Sequence, residues 1–321
     1  MEPYRRSLWL IDLLSRETLN REEIAARWQR SSINEEGEIY SRRTFNRDKV
    51  YIAQTFQLEI RYIRSSNTYT LDNPELIKQQ SLLQYSIEQN RMLGLTKLSH
   101  KMQKKIYLEP LQTGSEYLQT MLDAIDQGVT VKFDYHTYYQ PDQIKQFELI
   151  PCFVRYFERR WYLIGETIHH KQPRVLALER MRNVTPTTQK RKPSEAMSPE
   201  VFYVDCFGII HDENAPQWIT LKVYQPQVNY VRSTPIHPSQ EEIETQKDYS
   251  IFRIFVRPSY DLVQHLLWNR DRLEVIAPQS LREEMCTLLK NMLDLYTNPH
   301  SQDTFPQDIE KNQASLRDTL E

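Results

Sequence analysis

The sequence predicts an α+β chain of several domains, on three observations. Helical periodicity at the N-terminus ends in a short hairpin pattern. A central run of β-branched and aromatic residues alternates with period two. The C-terminal region then gives strand and helix signals in the order βαββαβα. A length of 321 residues suits two or three domains. Hydrophobic content of 39% and charged content of 26% are those of an ordinary globular chain. Six glycines leave little room for a glycine-rich phosphate loop. Cys152, Cys206 and Cys286 are too scattered for a disulfide framework or a zinc site, so reduced cysteines are expected. No apolar run reaches the roughly 18 residues of a membrane span. The opening Met1-Glu-Pro-Tyr-Arg-Arg6 leads into an amphipathic helix rather than a signal peptide.

Residues 1–74 are expected to form one domain. Leu8, Trp9, Leu10, Ile11, Leu13 and Leu14 give residues 4–15 a broad apolar helical face. Asn20-Arg-Glu-Glu23 fits a capping box, and Ile24 and Trp28 follow one turn apart on the second helix. Ser41 is a good N-cap for a third. Its inner side takes Phe45, Ile52 and Phe56, with Lys49 lying alongside. Its outer side takes Arg43, Asn46, Arg47, Val50 and Gln54, which supply the donors and acceptors that read base edges and grip phosphate. Leu58 to Ile63 and Thr68 to Leu71 make a hairpin around Arg64-Ser-Ser-Asn67. Three helices and a two-stranded wing make a winged helix-turn-helix. Candidate DNA contacts are Arg42, Arg43, Thr44, Asn46, Arg47, Lys49 and Arg64. With 12 Lys/Arg against 11 Asp/Glu in residues 1–74, bulk charge lends no support, and the helix face and the wing carry the assignment.

Residues 75–112 are expected to be a helical linker, with Leu76, Ile77, Leu82, Leu83 and Ile87 apolar and a basic segment from Lys97 to Leu108. Residues 113–190 form the next domain. Ser115 caps a helix with Leu118, Leu122 and Ile125 on one side, closed by Gly128. Val129 to Tyr139 is a strand, Pro141-Asp142 a turn, and Ile144 to Ile150 a second strand. Phe153 to Arg180 adds a hairpin centred on Trp161-Tyr162-Leu163-Ile164 and a strand over Arg174 to Arg180, about five strands in all and enough for a small barrel. From Arg155 to Arg191 there are nine Lys/Arg against three Glu, a surplus that suits an anionic, nucleotide-like ligand. Lys190-Arg-Lys-Pro-Ser194 reads as a hinge. Residues 200–298 carry the βαββαβα order of a ferredoxin-like domain, and residues 299–321 are polar enough to be a disordered tail.

Trp161-Tyr162-Leu163, preceded by Pro151 and followed by Arg174 and Glu179-Arg180-Met181, resembles the WYL domain, a small Sm-like β-barrel of bacterial transcription regulators. Ser41-Arg-Arg-Thr-Phe-Asn-Arg-Asp48 resembles the recognition-helix signature of those regulators. By that resemblance Arg43, Thr44 and Arg47 face DNA and Asp48 is structural; the acidic link from Arg30 to Ile39 is longer than usual. Phe207-Gly208-Ile209 resembles the segment that bridges to the C-terminal WCX extension, and Arg272 to Arg282 is similar to that extension. The resemblance implies a cytoplasmic, nucleoid-associated regulator that binds operator DNA, dimerises through its C-terminal domain and senses a nucleic-acid-like effector: an oligonucleotide, a single strand or a cyclic nucleotide. The implied ligand neighbourhood is Tyr135, His136, Arg155, Trp161, Tyr162, Arg174, Arg180 and Arg182. Arginines would pair with phosphate and aromatic rings would stack or support. Trp161 and Tyr162 also fit as barrel core.

No cofactor, metal site or membrane partner is expected. There is no Gly-x-Ser-x-Gly, His-Glu-x-x-His, P-loop or CxxC, and the chain is expected not to be an enzyme. Two other functions fit the sequence: a non-regulatory module for single-stranded nucleic acid, and a protein-interaction scaffold.

Overall fold

The computed structural model describes residues 3–34, 37–95, 105–106, 115–138, 143–211 and 214–297. It divides into two compact units, Met1–Glu109 and Pro110–Glu321. The expected tail, the turn at Pro141-Asp142 and most of the Lys97–Leu108 segment lie outside the described residues.

In the first unit, α1 (Pro3–Arg16), α2 (Arg21–Gln29) and α3 (Arg42–Phe56) precede an antiparallel wing of β1 (Ile60–Ile63) and β2 (Thr68–Leu71). Leu10, Ile11, Ile24, Trp28, Phe45 and Ile52 are fully buried together. The capping box forms: Asn20 Oδ1 accepts the Glu23 N–H at 2.9 Å, and the Asn20 N–H donates to Glu23 Oε2 at 2.8 Å. Ser41 Oγ accepts the Thr44 N–H at 3.1 Å and starts α3. Leu19 and Tyr69 exchange backbone hydrogen bonds of 3.0 and 2.7 Å, sewing the α1–α2 turn to the wing. Two further helices follow, α4 (Leu76–Gln79) and α5 (Ser81–Leu95). Leu83 and Ile87 of α5 close over the same core, so this stretch packs as part of the unit, while Leu82 is 79% exposed.

The second unit opens with α6 (Leu118–Gln127). It buries Met121 and Ala124, while Leu122, expected inside, is 41% exposed. The inward row steps by three from Leu118, and Leu122 falls beside it. Gly128 at φ 65° ends the helix. Five antiparallel strands follow: β3 (Val129–His136), β4 (Ile144–Phe157), β5 (Arg160–Thr167), β6 (Pro173–Ala177) and β7 (Met181–Lys190), in the spatial order β6-β5-β4-β3-β7. β4 is continuous where two strands were expected. Pro151 has no N–H to give the ladder, and the register shifts between Pro151 and Phe153. The strand expected over Arg174 to Arg180 stops at Ala177, and Leu178–Arg180 form a 3-10 turn that delivers the chain to β7.

The rest is α7 (Pro199–Phe202), β8 (Gln217–Tyr224), α8 (Gln227–Ser233), β9 (Glu241–Thr245), β10 (Tyr249–Val256), α9 (Tyr260–Trp268), β11 (Leu273–Ala277) and α10 (Gln279–Thr297). From β8 onward this is the expected βαββαβα order, in a sheet β11-β8-β10-β9. Ile219, Leu221, Val223, Phe252, Ile254 and Val256 pack against Val228, Leu262, Leu266 and Leu281. No described helix is long and apolar enough to cross a membrane.

Candidate nucleic-acid interface and ligand site

Arg42, Arg43, Asn46 and Arg47 stand exposed on α3, and Arg64 is exposed in the wing turn. Thr44 is half-buried, with its hydroxyl 2.9 Å from that of Ser41, so it belongs to the cap. The Lys49 ammonium lies 5.7 Å from the centre of the Tyr69 ring and ties α3 to the wing. Beneath this face Asp48 is fully buried. Its carboxylate accepts Arg6 Nε at 2.7 Å, Arg6 Nη2 at 2.8 Å and the Tyr40 hydroxyl at 2.7 Å. Burial, then the charge of Asp48, pushes the Tyr40 hydroxyl far above its ordinary range. The exposed arginines thus stand on a helix whose inner side is fixed by charge-assisted bonds.

The eight residues expected around one ligand do not gather at one place. β5 is covered on both faces. Trp161 and Leu163 join Val131, Phe133, Tyr135, Leu149, Leu176 and Met181 in one cluster. Tyr162 and Ile164 join Phe153, Val175, Met197, Phe202, Ile209 and Ile210 in another. Arg155 is opposite Tyr162, which is opposite Ala177, so Arg155 and Tyr162 share the second face. Trp161 is half-buried, 5.0 Å from the Tyr156 ring. Arg174, at the far end of β6, donates to Pro173 O at 3.0 Å and Gln172 Oε1 at 3.3 Å.

Tyr135, His136 and Arg180 do come together, while Arg182 stands opposite Asp134, one position from Tyr135 on β3, and so faces the other side of the sheet. The Arg180 guanidinium lies 4.6 Å from the ring centre of Tyr135 and 4.4 Å from that of Tyr138. Its Nε donates to the His136 carbonyl at 2.8 Å, so His136 contributes backbone rather than imidazole. The Tyr135 hydroxyl accepts the Ala177 N–H at 3.1 Å, and burial pushes its pKa up to about 12. Arg182 is exposed and braced by the carbonyls of Glu179 and Met181. Tyr138 is 63% exposed. Sequence reasoning missed it, although a third aromatic after Tyr135-His136 was the available signal. The positive surplus is partly cancelled on site: Lys171 pairs with Glu166 at 3.2 Å and Arg160 with Glu179 at 3.2 Å.

Family models match at two places: a WYL domain over residues 116–186 and a WCX domain over residues 215–293. This chain carries a WYL domain followed by a WCX domain. Among solved structures it is similar to proteasome accessory factor B/C (PafBC) of Arthrobacter aurescens, with 16% identity, TM-score 0.35 and 95% of this chain covered. The chain covers 49% of that protein's chain. It is also similar to a CRISPR Cas-related protein, with 13% identity, TM-score 0.39, and 79% and 72% of the two chains covered. No curated protein matches the sequence.

The second face of the WYL sheet is covered by residues that lie between the two matched domains. Met197, Phe202, Ile209 and Ile210 pack on it. The same segment grips the WCX domain. The N–H groups of Ile209 and Ile210 donate to Asp261 Oδ2 at 2.8 and 3.0 Å. Gly208 sits at φ 74°, where an added Cβ would lie 2.7 Å from that of Asp261. Burial raises the Asp261 pKa, and the two N–H bonds oppose that rise. The expected hinge at Lys190–Ser194 is tied down: the Arg191 N–H donates to Gly128 O at 2.9 Å, Lys192 O accepts Lys171 Nζ at 2.9 Å, and the Ser194 N–H donates to Glu166 at 3.0 Å. Among the described residues no group of three or more His, Cys, Asp or Glu could hold a metal ion.

Proposed function

We propose that this chain is a DNA-binding transcription regulator, acting by binding rather than catalysis, on operator DNA of the nucleoid in the cytoplasm. The observation that carries the proposal is the outward row of Arg42, Arg43, Asn46 and Arg47 on a helix fixed from within by Asp48 and flanked by a wing bearing Arg64. Such a face offers bidentate donors to base edges and charge to phosphates.

The WYL domain serves as the sensor of a nucleic-acid-like effector: an oligonucleotide, a single strand or a cyclic nucleotide. The Arg180 guanidinium, held against two tyrosine rings, suits a phosphate, and the exposed ring of Tyr138 suits a base. The protein acts as a homodimer. Leu289, Met292, Leu293 and Tyr296 of α10 are exposed large apolar side chains at helical spacing, as a self-complementary contact would need. Light scattering showing a monomer at micromolar concentration would contradict this.

Operator affinity measured with and without single-stranded oligonucleotides tests the sensor. A coupling of about 1–3 kcal/mol changes affinity roughly 5- to 150-fold. Arg180→Ala should abolish that response and leave effector-free operator binding within a few fold. A direct loss of operator binding with a shallower salt dependence would make the barrel a DNA-holding surface and sink the sensor.

A further inference from the structure

Arg42, Arg43, Asn46, Arg47, Val50 and Gln54 all stand exposed on α3. None of the six side chains makes a hydrogen bond or ion pair with another described residue. Other exposed arginines of the same unit are neutralised in place. Arg16 lies 2.8 Å from Asp12, Arg27 2.8 Å from Glu17 and Arg61 3.0 Å from Asp72. The donors of α3 are therefore left for a partner outside the chain. Val50 is the odd member of that face. It is 56% exposed, and among the described residues of α3 it is the one exposed large apolar side chain. The core does not use it, because α3 meets the core through Phe45, Ile52 and Phe56. Nor does the helix gain from it: a β-branched side chain is a poorer helix former than the lysine, arginine or glutamine that suits an exposed position.

We propose that Val50 is a specificity-determining residue of the DNA interface, seated against the C5 methyl group of a thymine in the major groove. Arg43, Arg47, Val50 and Gln54 follow one another at steps of four, three and four, so they line one side of the helix. Val50 comes seven positions after Arg43, about 10 Å along the axis at 1.5 Å per residue. That distance is about three base-pair steps of 3.4 Å. Base edges in the major groove present hydrogen-bonding atoms and one apolar group, the thymine methyl. Arginine pairs best with guanine and asparagine with adenine, so an apolar side chain set among them is matched only by that methyl. Cytosine at the same place would turn its amino group toward the valine methyls and lose a hydrogen bond to water. The inference rests on the DNA-binding reading and names a base that α3 selects.

Uracil differs from thymine only by lacking that methyl, which gives a direct test. The full-length protein is first used to select duplexes from a randomised library. Each thymine of a selected duplex is then replaced singly by uracil, and affinity is read by fluorescence anisotropy. One thymine in each half-site should be sensitive, with affinity falling about three- to fivefold, the effect of one buried methyl group. Val50→Ser should bind thymine and uracil duplexes equally at that position, because the hydroxymethyl side chain offers the methyl no apolar surface. Its melting temperature should stay near that of the wild type, since Val50 lies outside the core. Arg43→Ala should weaken binding and keep the thymine-to-uracil ratio. The uracil substitutions on the wild-type protein need no variant, so the test stands even if Val50→Ser folds poorly. Duplexes that are selected but show no uracil-sensitive position would overturn the role of Val50 and leave the DNA-binding reading intact. A sensitive position that stays sensitive in Val50→Ser would overturn it too. Selection of no duplex at all would contradict the DNA-binding reading itself, and this inference with it.

Discussion

Arg6 and Asp48, 42 positions apart, meet in the core of the first unit through two side-chain hydrogen bonds of 2.7 and 2.8 Å. Both are buried, with Tyr40 as a third partner. Removing one member of such a pair leaves an uncompensated charge, so Asp48→Ala should cost about 3–5 kcal/mol in urea unfolding. Replacing both by apolar residues of similar volume should cost far less. A single-variant loss well under 1 kcal/mol would show that the pair does not anchor α3.

The outward side of α3 makes a separate prediction, because Arg43 and Arg47 take no part in that anchor. Either one changed to alanine should cost about 1–3 kcal/mol of operator affinity if it reads a base, with relaxed specificity at one position. If it holds phosphate instead, all sequences should weaken together and the salt slope should fall. A folded Arg43→Ala/Arg47→Ala protein that binds its operator normally would remove α3 from DNA reading.

Gly208 should not tolerate alanine. The left-handed backbone at φ 74° costs an L-residue about 1–2 kcal/mol, and the new methyl would also collide with Asp261. Thermal unfolding should show a clear drop in melting temperature for Gly208→Ala. An unchanged melting temperature would mean that the link segment does not grip α9 in solution.

Glu242 predicts a pH dependence within the WCX domain. The guanidinium of Arg232, bonded to it at 2.9 Å, holds its carboxyl down at about 2. A depressed carboxylate pKa stabilises the fold above the ordinary carboxylate range, and that contribution is lost as pH falls from about 4.5 toward about 2. Both side chains are partly exposed, so the effect should be small and weakened by salt. Glu242→Gln should flatten that part of a melting-temperature titration, and an unaltered profile would count against the pair.

Much of this architecture could be read from short-range signals. Asn20 with Glu23, Ser41 with Thr44, and the strand and helix order after Gln217 all depend on neighbours within a turn or on simple alternation. What the sequence hid was long-range. Pro151 suggested a break, but β3 and β5 on either side hold β4 through it as one strand. Leu122 lies on the side that Leu118 and Ile125 suggest, and only the sheet beneath α6 turns Met121 inward instead. Arg174, Arg180 and Arg182 all add to the positive surplus in composition, yet each is oriented by a backbone carbonyl, an acceptor that composition cannot reveal. The division of the ligand set was partly foreseeable, since adjacent strand residues such as Trp161 and Tyr162 point to opposite faces and cannot line one pocket.

The double coverage of β5 bears on how this sheet can be cut out or borrowed. A fragment ending at Lys190, where the last strand stops, would strip Met197, Phe202, Ile209 and Ile210 from Phe153, Tyr162, Ile164 and Val175. The bared surface would make such a fragment self-adhesive. The smallest portion that could remain monodisperse runs past Ile210, and any recombination that moves the sheet to a new partner must carry about twenty residues of this lining with it.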